Sequence, residues 1–361
     1  MRRARNVGLD FLKAISIAFV LILHVTGYYR EQFDGITLEI GVEVSWHFLK
    51  AIAYPAIHIF VLISCFFWID RVPSWKSGIK VWMQTFIICI IGLVVAVILR
   101  LPFGIKDIIV TVFPFLGRAY WFVTDYLLLF IFAPLLKRAI EGITGRQLSL
   151  YTLFLVIINS GLCFLFPFFS WNQDYSNIGL FICLFFIAAW IKQNIDRLSR
   201  KLAGIIWIIC IMIMVGSFFV ATIFVNKGIM FLSGREEFLY AYNSPVVILQ
   251  AGSIFVFFAK ARMKEKKAIS IITNASLIVY LIHMHPILKQ FYVKKGVLNW
   301  MDTQNAVLFL AQVMVLVLLV YITGIIVSWP VLFTSEKLGV ILYNIGLKIT
   351  KKRVRKGDNN V

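Results

Sequence analysis

Apolar residues in this chain fall in long unbroken runs, and polar residues gather in the intervals between them. Ten runs stand out: Leu9 to Tyr28, Ala51 to Ile69, Ile79 to Leu99, Tyr120 to Leu136, Leu150 to Phe169, Ile178 to Ile191, Ala203 to Val225, Leu239 to Ala259, Ser276 to Ile287 and Val307 to Phe333. An α-helix rises about 1.5 Å per residue, so roughly twenty apolar residues cover a hydrocarbon core about 30 Å thick. The runs are continuous rather than alternating, which predicts helices and disfavours a closed barrel. The sixth and ninth are short or more polar, and their ends are the least sharply marked. The expected fold class is therefore an all-α polytopic membrane protein with about ten transmembrane helices. No run repeats another convincingly, and no Gly/Ser- or Pro-rich linker divides the chain. Residues 1–345 are accordingly read as a single transmembrane domain and residues 346–361 as a basic tail.

Composition agrees and excludes the soluble alternative. The chain is 61% apolar and 15% charged, against about 45–50% and about 25% in soluble domains. A net charge of +19 would in a soluble protein suggest nucleic acid. Its distribution gives a different reason. With the N-terminus inside, the cytoplasmic segments and their borders collect 25 of the 36 Lys and Arg residues, and the outer loops collect 10. That is the positive-inside bias. An even number of spans then places both termini in the cytoplasm, with no nucleic-acid partner required. The tail Lys351-Lys352-Arg353-Val354-Arg355-Lys356 is expected on the anionic inner leaflet. Arg2, Arg3 and Arg5 before an apolar run also fit a signal peptide, but no small-x-small cleavage pattern follows, and Asp10 and Lys13 interrupt the run. The segment is read as a retained helix. Cys65, Cys89, Cys163, Cys183 and Cys210 all lie inside apolar runs without a Cys-x-x-Cys pair, so they are read as small hydrophobes.

Ionisable residues inside a membrane are expensive, so each is a candidate for function. The first run holds Asp10, Lys13 and His24. Lys13 and His24 are eleven residues apart, close to three whole turns, so they share one helix face about 16 Å apart. Asp10 lies one turn before Lys13. Lys13 near a helix end also fits simple snorkelling, and Asp10 simple pairing with it. His24, among Ile22, Leu23 and Val25, is harder to explain so. The three in register suggest a polar track towards a transmembrane cavity. Asp125 lies at a depth comparable with His24 and has two readings: a carboxylate orienting the imidazole, or a partner of Arg118 at the membrane boundary. His47 and His58 are separated by Pro55, and His283 and His285 precede Pro286. No histidine has another at i+4, which argues against a metal.

These residues resemble a known family. Leu9-Asp10-Phe11-Leu12-Lys13 with His24 is similar to the first-span signature of the bacterial acyltransferase-3 family, integral-membrane O-acyltransferases acting on surface glycans. Ile63-Ser64-Cys65-Phe66 resembles its second-span Ser-Gly-Phe pattern with Cys65 in place of glycine, and Arg71 fits the basic residue that follows. Trp121-Phe122 through Pro134-Leu135 resembles the fourth span, and Ser276 through Tyr280-Leu281-Ile282-His283 the ninth. Some members carry Glu five residues after the fourth-span Trp, where this chain has Tyr126. That departure favours the stand-alone O-acetyltransferase branch.

The resemblance implies a membrane O-acyltransferase of the bacterial inner membrane that moves an acyl group, usually acetyl, from cytoplasmic acetyl-CoA to a sugar hydroxyl of a surface or lipid-linked glycan. His24 is then the general base or a covalent acyl carrier, and the sequence does not separate these roles. Lys13 and Arg71 would hold CoA phosphates. Asp10, Ser64, Trp121, Tyr280 and His283 are further pocket candidates, and no metal is implied. A transporter or flippase for a glycan is the competing reading, although no duplicated half supports it. A sensor or structural protein would leave the Lys13–His24 register unexplained.

Overall fold

The computed structural model describes residues 6–115, 119–162, 178–229 and 236–357, with side chains as far as residue 345. Arg118, Cys163 and the side chains of the basic tail lie outside the described residues. Among the described residues all regular structure is helical. The helices are α1 (Val7–Gln32), α2 (Ile40–Ala53), α3 (Ala56–Trp68), α4 (Trp75–Ile98), α5 (Ile105–Val112), α6 (Trp121–Glu141), α7 (Gly145–Val156), α8 (Ile178–Asn194), α9 (Arg200–Asn226), α10 (Pro245–Ala259), α11 (Lys267–His283), α12 (Lys295–Trp300) and α13 (Ala306–Gly357). Five segments are long and apolar enough to cross a membrane: α1, α2 with α3, α4, α9 and α13 as far as Ile345.

Local chemistry explains the breaks. Asn6 caps α1, accepting a hydrogen bond from the Leu9 amide at 3.1 Å, while its own amide donates to the Ala259 carbonyl at 2.9 Å. Pro55 lacks an N–H and divides α2 from α3. Helix begins at Ile40, inside the interval read from sequence as an outer loop. Thr144 and Gln147 form a capping box at the start of α7. α13 carries Pro330 and continues through the expected tail boundary to Gly357.

Side-chain contacts sort the helix ends. One end of the bundle holds the start of α1 against the end of α10 through Asn6, and the start of α11 through Thr273, whose hydroxyl donates to the Asp10 carbonyl. The ends of α3 and α8 meet there as well, with Lys192 donating to the Phe66 carbonyl at 2.6 Å. The opposite end gathers the end of α1, the start of α2 and the chain before α13: Arg30 pairs with Glu43 at 3.4 Å, and Tyr29 donates to the Thr303 carbonyl at 2.8 Å.

α1 is the central helix. Leu12, Ile17, Leu21, Val25 and Tyr29 are all buried, and it packs mainly against α11, α3, α2, α13 and α10. Its carbonyls take hydrogen bonds from other helices at several levels, including Tyr321 to Ala14 and Trp46 to Thr26, both at 2.9 Å. Such bonds hold helices together where apolar surface alone gives no preference between neighbour and lipid. The perimeter is apolar and exposed, as at Trp329 and Val307, which suits contact with hydrocarbon.

Candidate active site

Because α1 is continuous from Val7 to Gln32, Lys13, Ile17, Val20 and His24 lie along one face. α11 runs parallel to α1: Thr273 meets Asp10 at one level, and His283 meets His24 further on. The two imidazole rings are 5.1 Å apart, centre to centre. His283 is 1% exposed. Its Nδ1–H donates to the Val279 carbonyl at 2.9 Å, and its Nε2 has no hydrogen-bond partner. The tautomer follows from that network: with the proton on Nδ1, Nε2 carries the lone pair. The Val279 carbonyl thereby fixes the orientation and the tautomer of His283. Tyr280 stands edge-on to His283 at 5.7 Å, and Tyr28 lies 6.5 Å from His24.

Close helix packing sets the position of His283. Gly324 of α13 faces Val279, and a Cβ there would sit 2.6 Å from Val279 Cγ2 and 2.9 Å from its Cα. Only glycine permits this approach behind the residue that holds His283.

The other sequence candidates are distributed. Lys13 sits within electrostatic reach of Asp10 near the start of α1. Arg71 is exposed after α3. Ser64 shares a 3.0 Å hydrogen bond with Tyr126. Trp121 packs against Phe122 and Tyr242, and Phe122 packs 5.6 Å from Tyr280. Asp125 is buried on α6 and engaged in an interaction of its own. Of its two expected partners, Arg118 falls outside the described residues. α6 packs chiefly on α8 and α3, whereas α1 packs on α11, and this is why His283 is beside His24.

The polar track expected between Lys13 and His24 is not polar. Ile17 and Val20 fill that stretch and meet Ile57, Phe60, Phe122, Leu277 and Tyr280 around a gap of about 20 Å³. Beyond His24 the picture reverses. One turn on, Gly27 lines an open cavity of about 750 Å³. Its walls carry Arg30, Glu31, Glu43, Trp46, Lys50 and Glu237.

The remaining histidines have structural partners. His285 accepts from the amides of Ile287 and Leu288 and donates to the Cys89 carbonyl at 3.2 Å. His58 donates to the Tyr242 carbonyl at 2.7 Å, and His47 to Glu43 at 3.2 Å. Among the described residues no group of three or more His, Cys, Asp or Glu side chains is placed to hold a metal ion. Phe60 and Leu277, which line the gap beside Ile17 and Val20, were not among the sequence candidates, and nothing in the residue order marks them.

Among the described residues the fold is a helical membrane bundle whose central helix carries His24 beside His283 of α11. The sequence model of the family described as an acyltransferase domain matches residues 6–333, and the chain belongs to that family, acyltransferase-3. Comparisons with curated proteins and with solved structures returned no match. The chain is thus a membrane acyltransferase.

Proposed function

We propose that this acyltransferase moves a short acyl group, most simply acetyl, from acyl-CoA at the cytoplasmic end of the bundle to a sugar hydroxyl presented in the cavity beyond His24. In this reading α6, α7, α8, α10 and α11 join the five long segments as membrane crossings. The chain then crosses ten times, with both ends at the basic, cytoplasmic face of a bacterial inner membrane. The acceptor hydroxyl gives its proton to His24, and its oxygen forms the new C–O bond at the thioester carbonyl. The C–S bond breaks, and the proton leaves on the CoA thiol. His283 positions the pair through its Val279 hydrogen bond, Asp125 contributes a buried carboxylate from α6, and Lys13 with Arg71 holds CoA phosphate.

The observation that carries this reading is the imidazole pair at 5.1 Å, one turn below a hydrophilic cavity and about three turns above Lys13. The test uses the full chain in nanodiscs with labelled acetyl-CoA and a glycan acceptor. His24→Ala is expected to lower acyl transfer by about 100-fold or more, the range of general-base catalysis. Undiminished thioester consumption would remove His24 from the chemistry. Movement of glycan with no thioester consumed would make the protein a transporter.

A further inference from the structure

Sugars differ in charge as well as in shape, and the cavity beyond His24 has a charge pattern of its own. It lies between the end of α1, α2 and the end of α9, bordered also by the chain at Glu236 and Glu237. Five carboxylates line it, those of Glu31, Asp34, Glu43, Glu236 and Glu237, against two cations, Arg30 and Lys50. Both cations are already held. The Arg30 guanidinium pairs with Glu43 at 3.4 Å, and the Lys50 ammonium with Glu237 at 2.5 Å. Each also sits over the ring of Trp46, at 5.9 and 4.4 Å, and Lys50 faces the Tyr240 ring at 5.0 Å. From outside the lining Lys294 pairs with Glu31, and Glu236 is engaged as well. Trp46 is 5% exposed and donates its indole N–H to the Thr26 carbonyl, so it offers a ligand little of its ring.

We infer that this cavity selects its acceptor by charge, taking uncharged sugars and turning away those that carry a carboxylate or a phosphate beside the reacting hydroxyl. The inference rests on the reading above, in which the cavity receives the sugar. A sugar hydroxyl donates its proton to a carboxylate oxygen, and the negative charge strengthens that bond. A carboxylate in an ion pair still has lone pairs for this, because its two oxygens together accept about four hydrogen bonds. An anionic sugar meets the opposite. Neither lining cation is without a carboxylate partner, so the sugar must break an ion pair or stand beside like charges. Like charges placed face to face are a general means of suppressing wrong partners. Glu43 and Glu237 are then specificity determinants, since each keeps one cation from an anionic ligand.

The experiment uses matched acceptors, glucuronate and glucuronamide glycosides with their galacto and manno counterparts, which differ within a pair by one charge at nearly constant shape. Transfer of labelled acetyl from acetyl-CoA is measured with the full chain in phosphatidylcholine nanodiscs. Wild type is expected to favour the amide over the carboxylate by at least about tenfold in kcat/KM at low salt. Raising salt from about 0.01 M to about 1 M, which shortens the screening length from about 30 Å to about 3 Å, should reduce that preference at least about threefold. Glu237→Gln removes the ion-pair partner of Lys50, and Glu43→Gln that of Arg30. Each is expected to raise the carboxylate-to-amide ratio at least about threefold, whereas Glu141→Gln, at the far end of α6, leaves it unchanged. These are ratios within one preparation, so a reduced fraction of folded protein does not change them. Equal rates within a pair, or a preference for the carboxylate, overturn selection by charge while acyl transfer to sugars stands. A preference for the amide that neither salt nor either glutamine variant moves overturns it as well. Transfer to no member of any pair overturns the sugar reading of the cavity and this inference together.

Discussion

Two regions flank His24, and they differ in almost every physical respect. Beyond it lies an open cavity of about 750 Å³ whose walls carry carboxylates, two cations and an indole. Below it lies a gap of about 20 Å³ walled by carbon. The cavity tolerates charge because its ions are paired, as in Arg30–Glu43 and Lys50–Glu237, and because water reaches them. The slot below has neither partner nor water to offer, so a charge there would meet the full desolvation cost. On the proposed reading, the contrast bears on where the two substrates of an acyl transfer are received. A sugar brings many hydroxyls that must keep hydrogen-bond partners, and a thioester brings an apolar chain whose carbonyl must be kept from water.

The most severe way to break the contrast is to place a charge in the slot. Val20→Asp puts a carboxylate against Phe60 and Phe122 with no cation among the slot residues. An uncompensated buried charge typically costs about 3–5 kcal/mol. Thermal unfolding in nanodiscs should fall markedly and acyl transfer should disappear. Val20→Ile, which keeps the slot apolar, should retain both. If Val20→Asp were active and stable, the slot would have to be hydrated.

Lys13 tests which side receives the donor. Lys13→Met keeps the aliphatic stem and removes the charge. Hydrogen bonds to charged groups contribute about 1.5–3 kcal/mol, so KM for acetyl-CoA should rise about 10- to 100-fold, with acceptor KM unchanged. Arg71, exposed to solvent, should give only a few-fold change when replaced by Met, because solvent-screened contacts are weak. A rise in acceptor KM instead would reverse the two sides. Gly324→Ala acts at one remove. Its Cβ would press on Val279 at 2.6 Å, and the side chain must shift with its helix. Overpacking of this kind costs about 1–3 kcal/mol. The expected result is a lower unfolding temperature together with a lower kcat, as His283 leaves its place beside His24.

Parts of this arrangement could be read directly from the residue order. The apolar runs are helical over most of their described length, because a helix satisfies its own backbone in hydrocarbon; residues 54–55, 239–244 and 284–287 are the stretches where helix is interrupted or has not yet begun. The Lys13–His24 register follows from helix geometry alone. The pairing of His24 with His283 does not, since the two lie 259 positions apart and meet only because α1 and α11 pack in parallel. Ile17 and Val20 look like ordinary membrane filler; their meaning depends on Phe60 and Leu277 arriving from α3 and α11. Likewise, the stretch before Pro55 carries Glu43, His47 and Lys50 and reads as a loop. It is helical because those polar groups find partners on α1 and near Glu237 across the cavity.

The smallest expected effect falls on the open side. Lys50 lies 2.5 Å from Glu237 and above the rings of Trp46 and Tyr240, at 4.4 and 5.0 Å. Lys50→Met keeps the stem packed on both rings while removing the cation. Glu237 is 41% exposed and stays hydrated, so the stability cost should be under about 1 kcal/mol. The cavity becomes more negative by one charge. KM for a uronic-acid acceptor should therefore rise a few-fold, while KM for a neutral hexose acceptor and KM for acetyl-CoA stay where they were. If KM for acetyl-CoA moved as well, the open cavity would take part in holding the donor, and the separation of an acceptor side from a donor side would fail.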